Sequence, residues 1–137
     1  MNNLNIQYDT VVSKPSFKLL FTASFSILKC LILPVFNPKD TLELLTDIVE
    51  WIAGKQLRYL LVDLSEVKEF KLLPVPDYVL TSVQNYLRSV ACYQPIKEFH
   101  PSLQSLSALF SQWYKVAVFE KYSEAERWLY NQHSTVT

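Results

Sequence analysis

Tyr59-Leu60-Leu61-Val62-Asp63-Leu64-Ser65 is the stretch on which the reading of the fold turns. An unbroken apolar run that ends at an aspartate, with Arg58 before it and Ser65 after it, suits a strand buried on both faces. Upstream, Asn37-Pro38 opens a helix: asparagine is a good N-cap, proline fits the first helical position, and Asp40 suits the positive end of the dipole. Gly54, the one glycine of the chain, stands where a left-handed C-terminal stop is expected. Leu42, Leu45, Val49 and Ile52 recur at helical spacing and should pack on the sheet, while Leu44, Ile48 and Trp51 form a second stripe. A helix with two apolar stripes either lies deep or meets a partner.

Before that helix, Phe17–Thr22 and Ile27–Leu33 read as a hairpin across Ala23–Ser26. Leu28, Cys30 and Ile32 face one side of its second strand, and Ile27, Leu31 and Leu33 face the other around a lone Lys29, so that strand is central. The alternation of Leu4, Ile6 and Tyr8 marks an edge strand. Downstream, Pro76-Asp77 starts a second helix carrying Val79, Val83, Tyr86, Leu87 and Val90. Ala91–Ile96 follows as a short strand that Pro95 confines to an edge or an end. His100-Pro101 begins a third helix with Leu103, Leu106, Leu109 and Phe110, and Val116–Phe119 is the last strand. Ser123 and Glu126 form a capping box for a closing helix that buries Ala125, Trp128 and Leu129, with a frayed tail after Asn131. A right-handed crossover makes the later strands parallel, and the leading hairpin makes the sheet mixed. The expectation is an α/β fold: one domain over residues 1–137, a mixed β-sheet and about four helices, with 1–15 and 132–137 peripheral.

Composition narrows the function. A chain of 137 residues can bury a core without disulfides or metal, and an apolar content of 50% excludes disorder. Thirteen basic residues balance thirteen acidic ones, which leaves no electrostatic footprint for nucleic acid and little repulsion between copies. The apolar stretch Phe17–Phe36 has the length of a membrane span, yet Lys18, Lys29, Pro34 and the serines around Phe25 break it, and two adjacent strands explain it better. No integral membrane segment is expected, and the chain reads as cytoplasmic. Cys30 and Cys92 lie in apolar or aromatic company and read as buried free thiols, although a disulfide between them is geometrically open.

Two segments resemble a known family. Tyr59–Ser65 after a helix looks like the central strand of STAS-like domains, the fold of bacterial anti-sigma-factor antagonists. Lys115-Val-Ala-Val-Phe119 followed by Ser123-Glu-Ala-Glu-Arg-Trp128-Leu129 is similar to the C-terminus of small bacterial STAS-like proteins. The resemblance covers roughly Phe17 to Tyr130 and implies a STAS-like domain acting as a regulatory or protein-interaction module rather than an enzyme. The antagonists carry a phosphorylated serine in an Asp-Ser-x-Gly turn beyond the central strand. Here Val67–Pro74 has neither that serine nor that glycine, and Ser65 lies too early to replace it, so that switch is not expected.

The residues themselves argue against common catalytic sites. Only His100 and His133 could serve as imidazole ligands or bases, one at a helix start and one in the tail, and no metal or cofactor is expected. Familiar phosphate loops need more than one glycine. Asp63, at the end of a parallel strand, occupies the place where open α/β sheets bind ligands, with Ser65 beside it. The rival account is an aspartate that caps its own loop. The aromatic stock of eight phenylalanines, eight tyrosines and three tryptophans fills a core or lines a pocket. Trp51 and Trp113 are the rings whose exposure would tell. The candidate partner or ligand surface is therefore Leu44, Ile48, Trp51, Asp63, Ser65 and Trp113, serving a homodimer or another protein. The alternative is a small apolar ligand, such as a lipid, held between sheet and helices.

Overall fold

The computed structural model describes residues 6–95 and 101–135. Among them, six strands form one sheet in sequence order: β1 (Asp9–Ser13), β2 (Phe17–Thr22), β3 (Ile27–Ile32), β4 (Tyr59–Asp63), β5 (Ser89–Tyr93) and β6 (Lys115–Phe119). The first three run antiparallel, and β3 to β6 run parallel. Helices α1 (Thr41–Lys55), α2 (Asp77–Thr81) and α3 (Pro101–Ser111) make the crossovers, and α4 (Tyr122–Thr135) closes the chain. The result is a single α/β domain with a mixed sheet and four helices, as the sequence implies. Because β3 to β6 advance in one direction, right-handed crossovers put α1, α2 and α3 on one face. There Leu28, Cys30, Leu60, Val62, Val90 and Cys92 meet Leu45, Ile48, Leu80 and Phe110. Helix α4 belongs to no crossover and covers the other face, where Ala125 and Leu129 pack on Ile27, Tyr59, Leu61 and Ala91.

The central strand is as buried as its composition demands, since every residue from Tyr59 to Asp63 is inside. Strand β3 is likewise internal, and its two faces divide as the alternation of Leu28, Cys30 and Ile32 against Ile27 and Leu31 requires. The hairpin turn lacks glycine, and Ser26 takes the left-handed conformation at φ 58°. It is held there by the chain start of β4, because the Arg58 N–H donates to Ser26 Oγ at 2.9 Å and the Tyr59 N–H to Ser26 O at 3.0 Å.

Several expectations are corrected. The two stripes of α1 are one broad arc, since at about 100° per residue Thr41, Leu44, Leu45, Ile48 and Ile52 share its centre. Leu44 and Ile48 are core residues, each 2% exposed, and Leu42 at the rim of the arc is exposed instead. Asn37 does cap, but what it opens is a short 3-10 turn over Pro38–Asp40, with its Oδ1 accepting from the Lys39 N–H. That turn delays α1 and brings Thr41 inward. Val90 belongs to β5, not α2, which ends at Thr81, and β5 is internal, with Pro95 beyond its end. The edge strand starts at Asp9, after Ile6 and Tyr8, while Leu4, Ile96 and His100 lie outside the described residues. Helix α4 begins at Tyr122 and runs to Thr135, so Ser123 is already inside it and makes no box with Glu126. Cys30 and Cys92 both pair with Val62, one from each side. Two strand spacings, about 9.6 Å, separate them, beyond the reach of a disulfide. Both are free and buried.

Gly54 is also reassigned. It has no positive φ, and the left-handed stop is Gln56, at φ 52° and ψ 47°. A Cβ at Gly54 would meet nothing within 4 Å. Gly54→Ala is therefore expected to stabilise the fold by about 0.5–1 kcal/mol, by removing the entropy that a helical glycine loses. Gln56→Gly should add up to about 1 kcal/mol by relieving the left-handed backbone. Urea titration checks both, and a less stable Gly54→Ala would refute a helical Gly54.

Candidate functional site

Two features at the C-terminal end of the parallel strands stand out. The first is a polar and aromatic cluster on the α4 face. Strand pleat points Lys29 of β3, Asp63 of β4 and Tyr93 of β5 to this side. Tyr8, from the segment leading into β1, closes over them, and α4 supplies Tyr122 and Glu126. The hydroxyls of Tyr8 and Tyr122 both donate to Glu126 Oε2, each at 2.8 Å. The Lys29 Nζ stands 3.9 Å from Asp63 Oδ2, over the rings of Tyr122 and Tyr8 at 4.5 and 5.4 Å from their centroids. The Tyr93 ring meets Tyr122 edge-on at 5.5 Å. Burial, then the neighbouring Tyr122 and Glu126, push the Tyr8 hydroxyl far above its ordinary range. Burial and Glu126 do the same to Tyr122. Both phenols thus stay protonated donors to one carboxyl group.

Asp63 divides its two oxygens. Oδ1 accepts from the Ser65 N–H at 2.8 Å, the capping role that rivals a ligand role, and Oδ2 faces Lys29. Ser65 itself is exposed, just past the strand. Glu126 accepts from two phenols and Asp63 pairs with Lys29, an arrangement that ties the N-terminal segment, the sheet and α4 together.

The second feature is apolar and lies on the other side of the same end. Val35, Leu42, Leu73 and Tyr78 are between 50% and 71% exposed. They come from the chain after β3, the first turn of α1, the loop between β4 and α2, and the first turn of α2. Two contacts join the first three of these segments. The Leu73 N–H donates to Thr41 Oγ1 at 2.9 Å, and the Phe36 and Phe70 rings pack at 5.0 Å. Phe70 and Val67 anchor the loop in the core, which leaves Leu73 facing outward.

The structure does not assemble the six residues singled out from the sequence. Leu44 and Ile48 are inside and unavailable to any partner in the folded chain. Trp51 is half-buried against Phe21 at 5.8 Å, with Lys55 above it, beside a shallow concavity that Glu50 and Gly54 complete. Trp113 packs on the α1 side of the core, while Asp63 points to the opposite face. His133, read as part of a frayed tail, lies on α4 with its ring edge-on to Tyr59 at 5.9 Å. Among the described residues, no group of three histidine, cysteine or acidic side chains could hold a metal ion. No described helix is long and apolar enough to cross a membrane. No family model, curated protein or solved structure matches this chain.

Proposed function

We propose that this chain is a non-enzymatic, cytoplasmic interaction module of the STAS-like kind, which offers the apolar end of its sheet to a protein partner and also self-associates. The observation that carries the reading is the exposure of Val35, Leu42 and Leu73 on segments that the Thr41–Leu73 and Phe36–Phe70 contacts hold together, with Tyr78 also exposed on the first turn of α2. Large apolar side chains gathered in water are a mark of an interaction surface. The charges near them are of both signs, Lys39, Lys71, Glu43 and Asp77, which favours a protein surface over a polyanion. The non-enzymatic part is supported by the internal engagement of Asp63 and Glu126. A carrier of apolar ligands has less behind it, because Leu28, Cys30, Ile32, Leu60 and Val90 are fully covered by the chain's own side chains.

The test places a photo-cross-linking phenylalanine at position 78 and irradiates the protein in its native cells. A discrete cross-linked product that disappears when Leu42→Glu and Leu73→Glu are combined is the expected result. A product indifferent to those two changes, or none at all, would overturn the patch as the partner surface.

A further inference from the structure

The two edges of the sheet are treated differently. Strand β1 carries a register shift between Thr10 and Val12, and Pro15 follows it. Just beyond, Lys14 is pinned to Glu43 at 2.8 Å and to Asp47 at 2.5 Å. A bulge, a proline and a tethered charge are the usual defences of an edge against pairing with another chain. Strand β6 has neither bulge nor proline, and its charge, Lys115, is drawn off the edge toward α4, donating to Gln132 Oε1 at 3.3 Å and standing 5.8 Å from the Trp128 ring centroid. It pairs with β5 without a shift over its whole length, holds no proline, and reads Lys-Val-Ala-Val-Phe with its one charge at the start.

The backbone groups that this edge turns away from β5 can be identified. The Lys115 N–H donates to Arg88 O, and Phe119 O accepts from the Gln94 N–H. N–H and C=O of one strand residue point the same way, so Lys115, Ala117 and Phe119 turn their backbone to β5. Val116 and Val118 therefore turn theirs outward, and Val118 is 44% exposed.

We propose that the outer edge of β6 pairs antiparallel with β6 of a second copy, about a two-fold axis through Ala117. The proposal rests on the reading of the chain as a self-associating module and names the surface used. With the axis at Ala117, Val116 of one copy faces Val118 of the other, and each valine both donates and accepts a backbone hydrogen bond. Ala117 then faces itself at a non-hydrogen-bonded position, where Cα atoms approach to about 4.5 Å and a small side chain fits best. Lys115 falls opposite Phe119 of the second copy, so the two lysines stay at opposite ends of the pairing and like charges do not meet. Zero net charge leaves no long-range repulsion between copies. Such isologous pairing joins two sheets into one and leaves both apolar loop-end patches free for other partners.

Sedimentation equilibrium of the full chain, with amide exchange at Val116 and Val118 followed against concentration, tests this. The expected result is a dimer in which those two amides gain protection as concentration rises. Val118→Lys, which sets a lysine from each copy into the edge, should raise the dimer dissociation constant about tenfold or more. Val118→Pro removes an outward N–H without touching the β5 ladder and should abolish the dimer. Should that variant fold poorly by circular dichroism, Val118→Lys decides alone. A dimer whose dissociation constant ignores the substitutions overturns edge pairing but keeps the self-associating module. A chain that stays monomeric up to about millimolar concentration overturns edge pairing and self-association together, and cross-linking from position 78 then judges the partner surface separately.

Discussion

Ile48→Ala is expected to lower the unfolding free energy by about 2–5 kcal/mol, and Leu42→Ala by less than about 0.5 kcal/mol. The two residues look alike in the sequence, and the difference comes from the phase of α1. Ile48 lies at the centre of the inward arc and is 2% exposed, so truncation opens a cavity under β3 and β4. Leu42 lies at the rim and is 55% exposed. A small domain holds only about 5–15 kcal/mol in total, so Ile48→Ala alone could consume a third of it or more. Urea unfolding followed by tryptophan fluorescence measures both. If Ile48→Ala left stability unchanged and instead weakened self-association, the helix would present Leu44 and Ile48 outward, and its rotation on the sheet would be wrong.

That pair also shows where sequence reasoning holds and where it stops. Strands β2, β3, β4 and β6 were legible because each is a short apolar run with few competing readings, and proline marks the starts of the first three helical segments. The two stripes of α1 were legible as apolar, but not their depth. The centre of the buried arc includes Thr41, whose side chain turns inward and whose hydroxyl donates to Pro38 O and accepts from the Leu73 N–H. Nothing in the residue type of a threonine announces that. Val90 continued the helical spacing of Val79, Val83 and Leu87, and only the pairing with Leu60 and Val116 shows it to be strand. The exposed patch was invisible because apolar identity does not report exposure. The polar cluster joins residues 118 positions apart, Tyr8 and Glu126, and the nearer partner Ser123 offered Glu126 a plausible local role instead. Lys29 was the available signal: a lone lysine in a central apolar strand needs partners, and the structure supplies Asp63 and two rings.

Burial of ionisable groups yields the second large effect, a collapse of stability in alkali. Burial pushes the Cys92 thiol up to about 12. Cys30 is raised further, by burial and then by the nearby Asp63. In the unfolded chain a thiol ionises near pH 8.5. Below that value both states hold their protons and these groups make no difference. Above it the unfolded chain releases two protons that the folded chain keeps, so stability falls as pH rises. Each shielded thiol contributes about 1.4 kcal/mol per pH unit, so two of them remove about 5 kcal/mol between pH 8.5 and 10.5. From about pH 10 the tyrosines steepen the fall. Tyr114, which donates its hydroxyl to Leu80 O in the core, is pushed up to about 12 by burial, and Tyr8 and Tyr122 are raised as well. Urea midpoints at half-unit steps from pH 7.5 to 11 read the slope directly. Combining Cys30→Ala with Cys92→Ala should lower stability at neutral pH, where only the lost packing counts, and flatten the slope between pH 8.5 and 10, so that the gap to the parent closes in alkali. Tyr8→Phe should soften only the segment above pH 10. A double cysteine variant whose slope matched that of the parent would mean that both thiols reach solvent in the folded chain, and the core beneath β3 and β5 would be open rather than closed.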